Sequence, residues 1–178
     1  MKIIKGDLIA LAREGHFDVI THGCNCFCTM GAGIAVPMKQ AFGCDKFKME
    51  DEKYHGEINK LGTIDWMVHN LILQKPIKIG NLNLLAPDFG GFPLIVVNSY
   101  TQYHYGKNHP DGVYKPVDYE AITLCMRKIN HTFKGKSIGL PKIGCGLAGG
   151  DWDIVQRILK RELKDMNATV IELNTKRF

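Results

Sequence analysis

No uninterrupted apolar run in these 178 residues reaches the roughly 18 that a membrane-spanning helix needs, so no membrane partner is expected. No secretory leader is expected either. Met1-Lys2-Ile3-Ile4-Lys5-Gly6-Asp7 meets charge and a turn too early for one, and a cytoplasmic protein is expected. The six cysteines lack the distant C-x2-4-C partner pair of a structural zinc site. Cys24, Cys26 and Cys28 do stand at alternate positions on a strand-to-loop exit, where such side chains point the same way. Without a second pair they read as reduced thiols, and no metal or disulfide framework is expected. Charge of one sign is not in strong excess either. With 23 basic and 18 acidic residues the net charge is +5, which suits a phosphate-bearing ligand but falls short of a nucleic-acid binder.

What remains is the balance of a soluble globular protein, 23% charged and 45% hydrophobic. At about 150 residues per domain the length predicts one domain, and such a chain can bury close to ~70% of its unfolded surface. No internal repeat or linker interrupts it, so residues 1–178 are expected to form a single, monomeric domain.

Strands and helices interleave from end to end. The pattern predicts strands over Lys2–Lys5, around Phe17–Ile20 and over Leu61–Val68, Leu94–Val97, Ser137–Leu140 and Ala168–Leu173. Leu8–Ala12 reads as a helical turn, and Ala35, Met38 and Phe42 lie at helical spacing. Apolar positions 121, 122, 125, 126 and 129 predict a helix that Asp118 can cap, and Asp151 can cap another with the apolar face Trp152, Val155, Ile158, Leu159 and Leu163. Residues 69–93, broken by Pro76, Gly80, Pro87, Gly90-Gly91 and Pro93, are expected to be an elaborated hairpin or surface insertion. His104–Lys115 reads as a polar loop. The alternation predicts an α/β domain of three layers.

Two glycine-rich segments, Met30-Gly31-Ala32-Gly33-Ile34-Ala35 and Ile143-Gly144-Cys145-Gly146-Leu147-Ala148-Gly149-Gly150, each follow a strand and open a helix. Glycine lets a backbone approach a ligand closely, and the first amides of a helix carry partial positive charge. A pair of such ends at one sheet edge would make a diphosphate cradle. Neither has a nucleotide-fingerprint spacing, and ordinary turn chemistry explains the glycines equally well.

The order of the pieces says more. Gly6-Asp7-Leu8 after the first strand, His22-Gly23-Cys24-Asn25 before the first glycine segment, and Leu140-Pro141-Lys142 running into the second together resemble the macro domain, an ADP-ribose-binding module. Within it they resemble the compact branch of ADP-ribose 1″-phosphate phosphatases and ADP-ribosyl-protein deacylases. The resemblance runs from residue 2 to residue 173 and implies a three-layer α/β/α fold with a mixed, mostly parallel central sheet. It also implies that Asp7 accepts a hydrogen bond from the adenine amino group, with Leu8 and Ile9 at the same edge. Gly31, Ala32, Gly33, Ile34, Ala35 and Val36 would form one phosphate loop. Ile143, Gly144, Cys145, Gly146, Leu147, Ala148 and Gly149 would form the other, with His22, Gly23, Cys24 and Asn25 beneath the distal ribose.

His22 is then the expected general acid, since an imidazole can protonate a leaving oxygen, and Asp151 the group that orients or deprotonates water. Each residue also has a plainer use: a hydrogen-bonded strand histidine, an N-cap at Asp151 and an N-cap at Asp7. Tyr100, with Tyr103, His104 and Tyr105, could stack on adenine or simply close a core. Arg157, Lys160, Arg161 and Lys164 read as a solvated helix face that could steer an anion. In relatives with covalent chemistry a lysine follows the buried strand, but here the stretch is Asn98-Ser99-Tyr100-Thr101-Gln102. Where glycohydrolase relatives carry an acid after Gly-Cys-Gly-Leu, this chain has Ala148. The resemblance therefore implies phosphate-ester hydrolysis of ADP-ribose 1″-phosphate without cofactor, or else an ADP-ribose reader or a hydrolase lacking the lysine nucleophile.

Overall fold

The computed structural model describes residues 1–46, 56–79, 82–105 and 116–173, without the side chains of 73–79 and 82–90. Six strands, β1 (Lys2–Lys5), β2 (Val19–Asn25), β3 (Ile64–Ile79), β4 (Leu82–Gln102), β5 (Ser137–Leu140) and β6 (Asn167–Glu172), form one sheet in the order β1-β6-β5-β2-β4-β3. All neighbours are parallel except β3, which runs antiparallel to β4 at the edge. The sheet is mixed and mostly parallel, as the sequence led us to expect.

Helices cover both faces because both are apolar. On one, α1 (Leu8–Arg13) and α2 (Ala35–Phe42) bring Leu8, Ala12, Met38 and Phe42 against Ile20, Leu94 and Val96. On the other, α3 (Tyr119–Thr132) and α4 (Trp152–Glu162) pack Ile122, Met126, Ile129, Val155 and Leu159 onto Val19, Val97, Ile138 and Val170. The α3 face matches the apolar positions read from the sequence. Glu162 ties α3 to α4 through Arg127 (Nε donating at 3.0 Å) and also accepts from Arg161. The Arg127 hydrogen bond, the largest influence, holds the Glu162 carboxyl below its ordinary range.

The boundaries of β3 and β4 differ from expectation. β3 begins at Ile64 rather than Leu61, and a 3₁₀ turn over Ile58–Lys60 precedes it. β3 and β4 also continue as an antiparallel ladder through Leu73↔Asp88 to Ile79↔Leu82, well beyond the rungs β4 shares with β2, which start at Ile95. Among the described residues no third strand borders that arm. Pro76 and Pro87 thus sit where a missing N–H breaks no sheet, which is why prolines failed to stop the strands. Of the loop read over His104–Lys115, residues 106–115 lie outside the described residues.

Candidate functional site

Parallel strands deliver the chain to one common rim, and loops at carboxyl ends of strands are where α/β proteins place ligands. Here that rim gathers Gly6-Asp7 after β1, residues 26–34 after β2, residues 103–105 after β4 and residues 141–151 after β5. Because β3 is antiparallel, its start, with the Ile58–Lys60 turn, reaches the same rim, where Ile64 pairs with Ser99.

The two glycine bends lie side by side. Gly33 has φ +60°, and a Cβ built there would lie 3.6 Å from Leu147 Cδ1 of the second bend. Leu147 is 78% exposed, an apolar side chain that nothing else among the described residues covers. Gly23 lies at the base of the second bend. A side chain there would meet Thr101 Oγ1 at 2.8 Å and Ile143 Cγ1 at 3.2 Å, so only glycine leaves the chain this close.

The amides of both bends are available. Helices α1, α3 and α4 each open on an aspartate whose carboxylate accepts a backbone N–H, but α2 opens on Ile34 with no side-chain cap. The first N–H groups of α2 therefore keep their unmet demand for an acceptor. In the second bend, the N–H groups of Cys145 and Gly149 bond to Lys142 and Gly146 carbonyls, and that of Gly150 to Gly144 O at 2.8 Å. Those of Gly144, Gly146, Leu147 and Ala148 have no acceptor among the described residues. Val117 N donates to Ala148 O at 3.3 Å and fastens the bend to the approach of α3.

His22 does not stand at the rim, and the expectation of a general acid is corrected. β2 continues to Asn25, and its alternation turns His22 into the α1/α2 core, where it is fully buried. Asn98, its register partner on β4, explains the placement. The Asn98 amide donates to Cys44 O at 2.8 Å and Asp65 Oδ1 at 2.9 Å, which turns its carbonyl oxygen toward His22. His22 Nε2–H donates to that oxygen at 2.9 Å. Burial, only partly opposed by this bond, pushes the imidazole down from 6.5 to about 4, so it is neutral at physiological pH. Tyr100 is likewise corrected as a stacking residue. It pairs with Cys24, is 2% exposed, and donates its hydroxyl to Asp65 Oδ2 at 2.5 Å. Burial first, then Asp65, pushes this phenol well above its usual range.

The remaining expected residues divide between backbone and side-chain roles. Leu8, Cys24, Ile143 and Ala148 are buried, leaving only their main chain for a ligand, and Ile9 packs partly against the α1/α2 core. Cys145 is half-buried, and burial raises its thiol. Gly31, Ala32 and Gly146 are exposed, whereas Ala35 and Val36 are half-buried at the start of α2. Asn25 staples its own turn, accepting from Phe27 N (3.0 Å) and Thr29 N (3.2 Å) and donating to Thr29 O (2.9 Å). Asp7 and Asp151 are both exposed N-caps, accepting from Ala10 N and Asp153 N at 2.8 Å. Asp151 N in turn donates to the Tyr119 hydroxyl at 2.8 Å.

Two residues at the rim, Phe27 and Lys60, were not singled out from the sequence. Phe27 meets Tyr103, His104 and Tyr105 edge-on, at ring-centroid distances of 5.4, 5.1 and 5.9 Å. Lys60, from the 3₁₀ turn, sets its Nζ 3.2 Å from Cys28 Sγ and over the Tyr100 ring. Nothing in local sequence signals a pairing of residues this far apart. Among the described residues, no three His, Cys, Asp or Glu side chains are arranged to hold a metal ion.

Comparison with known proteins fits this geometry. No family model matches the chain. It is 30% identical to an uncharacterized 17.5 kDa protein of Enterobacteria phage T4, over 97% of this chain and 96% of the other. It is 28% identical to an ADP-ribose 1″-phosphate phosphatase of Candida albicans, over 90% of this chain and 92% of that one. With an ADP-ribose glycohydrolase of Bos taurus it shares 26% identity, over 96% of this chain and 90% of that one. Its fold matches the macrodomain of Thermus aquaticus DarG, with a TM-score of 0.59 at 19% identity, covering 96% and 97% of the two chains. A mostly parallel three-layer sheet with paired glycine bends at one rim defines the class. The chain belongs to the macro domain family.

Proposed function

We propose that the cleft between residues 31–36 and 143–149 binds ADP-ribose and that the protein hydrolyses ADP-ribose 1″-phosphate to ADP-ribose and phosphate without a metal. The observation that carries this is the proximity of the two bends, with the uncapped start of α2 in one and, among the described residues, four unclaimed amides in the other. Amide clusters of this kind suit a diphosphate, and the relatives named for ADP-ribose chemistry support the choice of nucleotide. Asp7 takes the adenine amino group, and a carboxylate there discriminates against bases that present a carbonyl. With His22 buried and neutral, Asp151 is the exposed carboxylate left to orient the attacking water. Charge neutralisation by the amides and placement of that water supply the catalysis.

Asp151→Asn separates this role from capping, because asparagine still accepts the Asp153 N–H. We expect phosphate release from ADP-ribose 1″-phosphate, in the presence of a chelator, to fall by about a hundredfold or more in this variant, as for loss of one general base. ADP-ribose affinity should stay within about twofold, since the cap interaction persists. An undiminished rate removes Asp151 from the chemistry. A second reading, recognition of ADP-ribose without turnover, is favoured by the burial of His22 and by Ala148 in the acid's place. Calorimetric binding with no phosphate or ADP-ribose released from any 1″-linked substrate would select it.

A further inference from the structure

We propose that Cys28 and Lys60 are a modification site, an amine–thiol pair that peroxide converts into a covalent sulfur–nitrogen crosslink across the rim. The two side chains come from different elements. Lys60 closes the 3₁₀ turn before β3, and Cys28 lies in the loop leaving β2, where it holds φ +56°, a conformation non-glycine residues rarely adopt. Lys60 Nζ stands 3.2 Å from Cys28 Sγ, steered there by the Tyr100 ring, whose centroid is 5.3 Å from the ammonium. The sulfur also lies 3.6 Å from the Tyr100 hydroxyl.

The neighbouring thiols have other partners, and Cys24 Sγ lies 3.7 Å from His22 Nε2. Cys26 donates to Gln102 O at 3.6 Å, while Cys44 lies 3.6 Å from both Met30 Sδ and His22 Nε2. Among the described residues no thiol hydrogen-bonds to the Cys28 sulfur, whereas the Lys60 amine stands 3.2 Å from it, so once oxidised that sulfur has an amine in contact. Cys28 retains 8% exposure, and Lys60 is half-buried, so a small neutral oxidant can reach the pair while bulk water is held back.

The chemistry balances in two steps. Hydrogen peroxide transfers one oxygen to the thiol, giving a sulfenic acid and water, with sulfur oxidised and peroxide reduced. The Lys60 amine, having lost its ammonium proton to solvent, then attacks that sulfur. An S–N bond forms, the S–OH bond breaks, and the hydroxyl leaves as a second water with the proton released from nitrogen. Condensation of a sulfenic acid with nitrogen is a known branch of cysteine oxidation, and thiol reductants reverse it. The product fastens the Ile58–Lys60 turn to the loop that leads into the first glycine bend.

Reduced full-length protein is treated with a modest excess of hydrogen peroxide, digested without reductant and analysed by mass spectrometry. The expected result is a peptide pair joined at Cys28 and Lys60, lighter by two hydrogens than its parts, which dithiothreitol separates. It should be lost in Lys60→Arg, which keeps the charge over Tyr100 but not the amine nucleophile, and in Cys28→Ser. If either variant fails to fold, the joined peptides in the unaltered protein decide the matter. A disulfide from Cys28 to another cysteine, over-oxidation to the sulfinic acid, an unreacted Cys28 or an equal yield in Lys60→Arg each overturns the proposal.

Discussion

Gly33→Val is expected to reduce ADP-ribose affinity by about a hundredfold or more, while leaving most of the fold's stability intact. The size of the effect follows from two independent costs at one atom. Gly33 sits at φ +60°, where a β-branched residue is strained by a few kcal/mol. Its Cβ would already stand 3.6 Å from Leu147 Cδ1, so the two further methyls of valine enter the space between the bends. Either the first bend straightens, which turns its amides away, or Leu147 is driven over the cleft. In both cases amides that must converge on one ligand no longer do, and a misdirected set of charge-assisted bonds costs about 1.5–3 kcal/mol per bond. Gly43→Val is the control. It has nearly the same φ of +59° and open space around its Cβ, but it lies at the C-terminal end of α2, so it should carry the backbone strain while changing ADP-ribose affinity only a fewfold at most. Isothermal calorimetry with ADP-ribose on both variants, beside thermal melts, provides the measurement. Valine binding as well as the parent would show that the bends do not jointly hold the ligand.

Much of this architecture could be read from the chain because its periodicities are strong. The α3 positions 121, 122, 125, 126 and 129 are all buried, and Asp118 caps the helix through Ala121 N at 2.8 Å. Likewise Asp151 caps α4, whose Val155, Ile158 and Leu159 are buried. The glycine bends were legible as segments, although their meeting depends on the sheet placing β5 beside β2, which no local pattern encodes. The misreadings of His22 and Tyr100 share one cause. Thr21 and His22 are polar, and in sequence polarity reads as the end of a strand. In fact β4 satisfies both, with Thr21 Oγ1 donating to Val97 O at 3.1 Å and lying 2.8 Å from Ser99 Oγ, and Asn98 reaching His22. A strand whose polar groups are met by its neighbour can run on through the core, and sequence alone does not reveal the neighbour. The same register buries Tyr100 opposite Cys24. Lys60 escaped notice because an antiparallel edge strand, not a crossover helix, delivers it to the rim.

The burial of His22 leads to the second large effect. In His22→Ala the Asn98 carbonyl oxygen loses its donor and a cavity opens beside Cys24 and Cys44, for a combined loss of about 3 kcal/mol at pH 7. For a chain of this size that lowers the melting temperature by about 6–12 °C. Turnover per folded molecule should be nearly unchanged, in contrast to the role the sequence alone suggested. The pH dependence identifies the cause. Unfolded, the imidazole titrates near 6.5, but in the fold burial lowers it to about 4, so between those values the unfolded chain binds the extra proton. Stability is therefore full above about pH 6.5 and falls as pH drops toward 4, by about 3 kcal/mol from this one group. His69, also lowered by burial, contributes a loss of the same sign. His22→Ala removes the His22 portion, so denaturant melts of variant and parent should differ most at neutral pH and converge as the pH approaches 4. A gap that stays constant across that range would mean that His22 is not held neutral in the core, and its exclusion from the acid–base chemistry would fall with it.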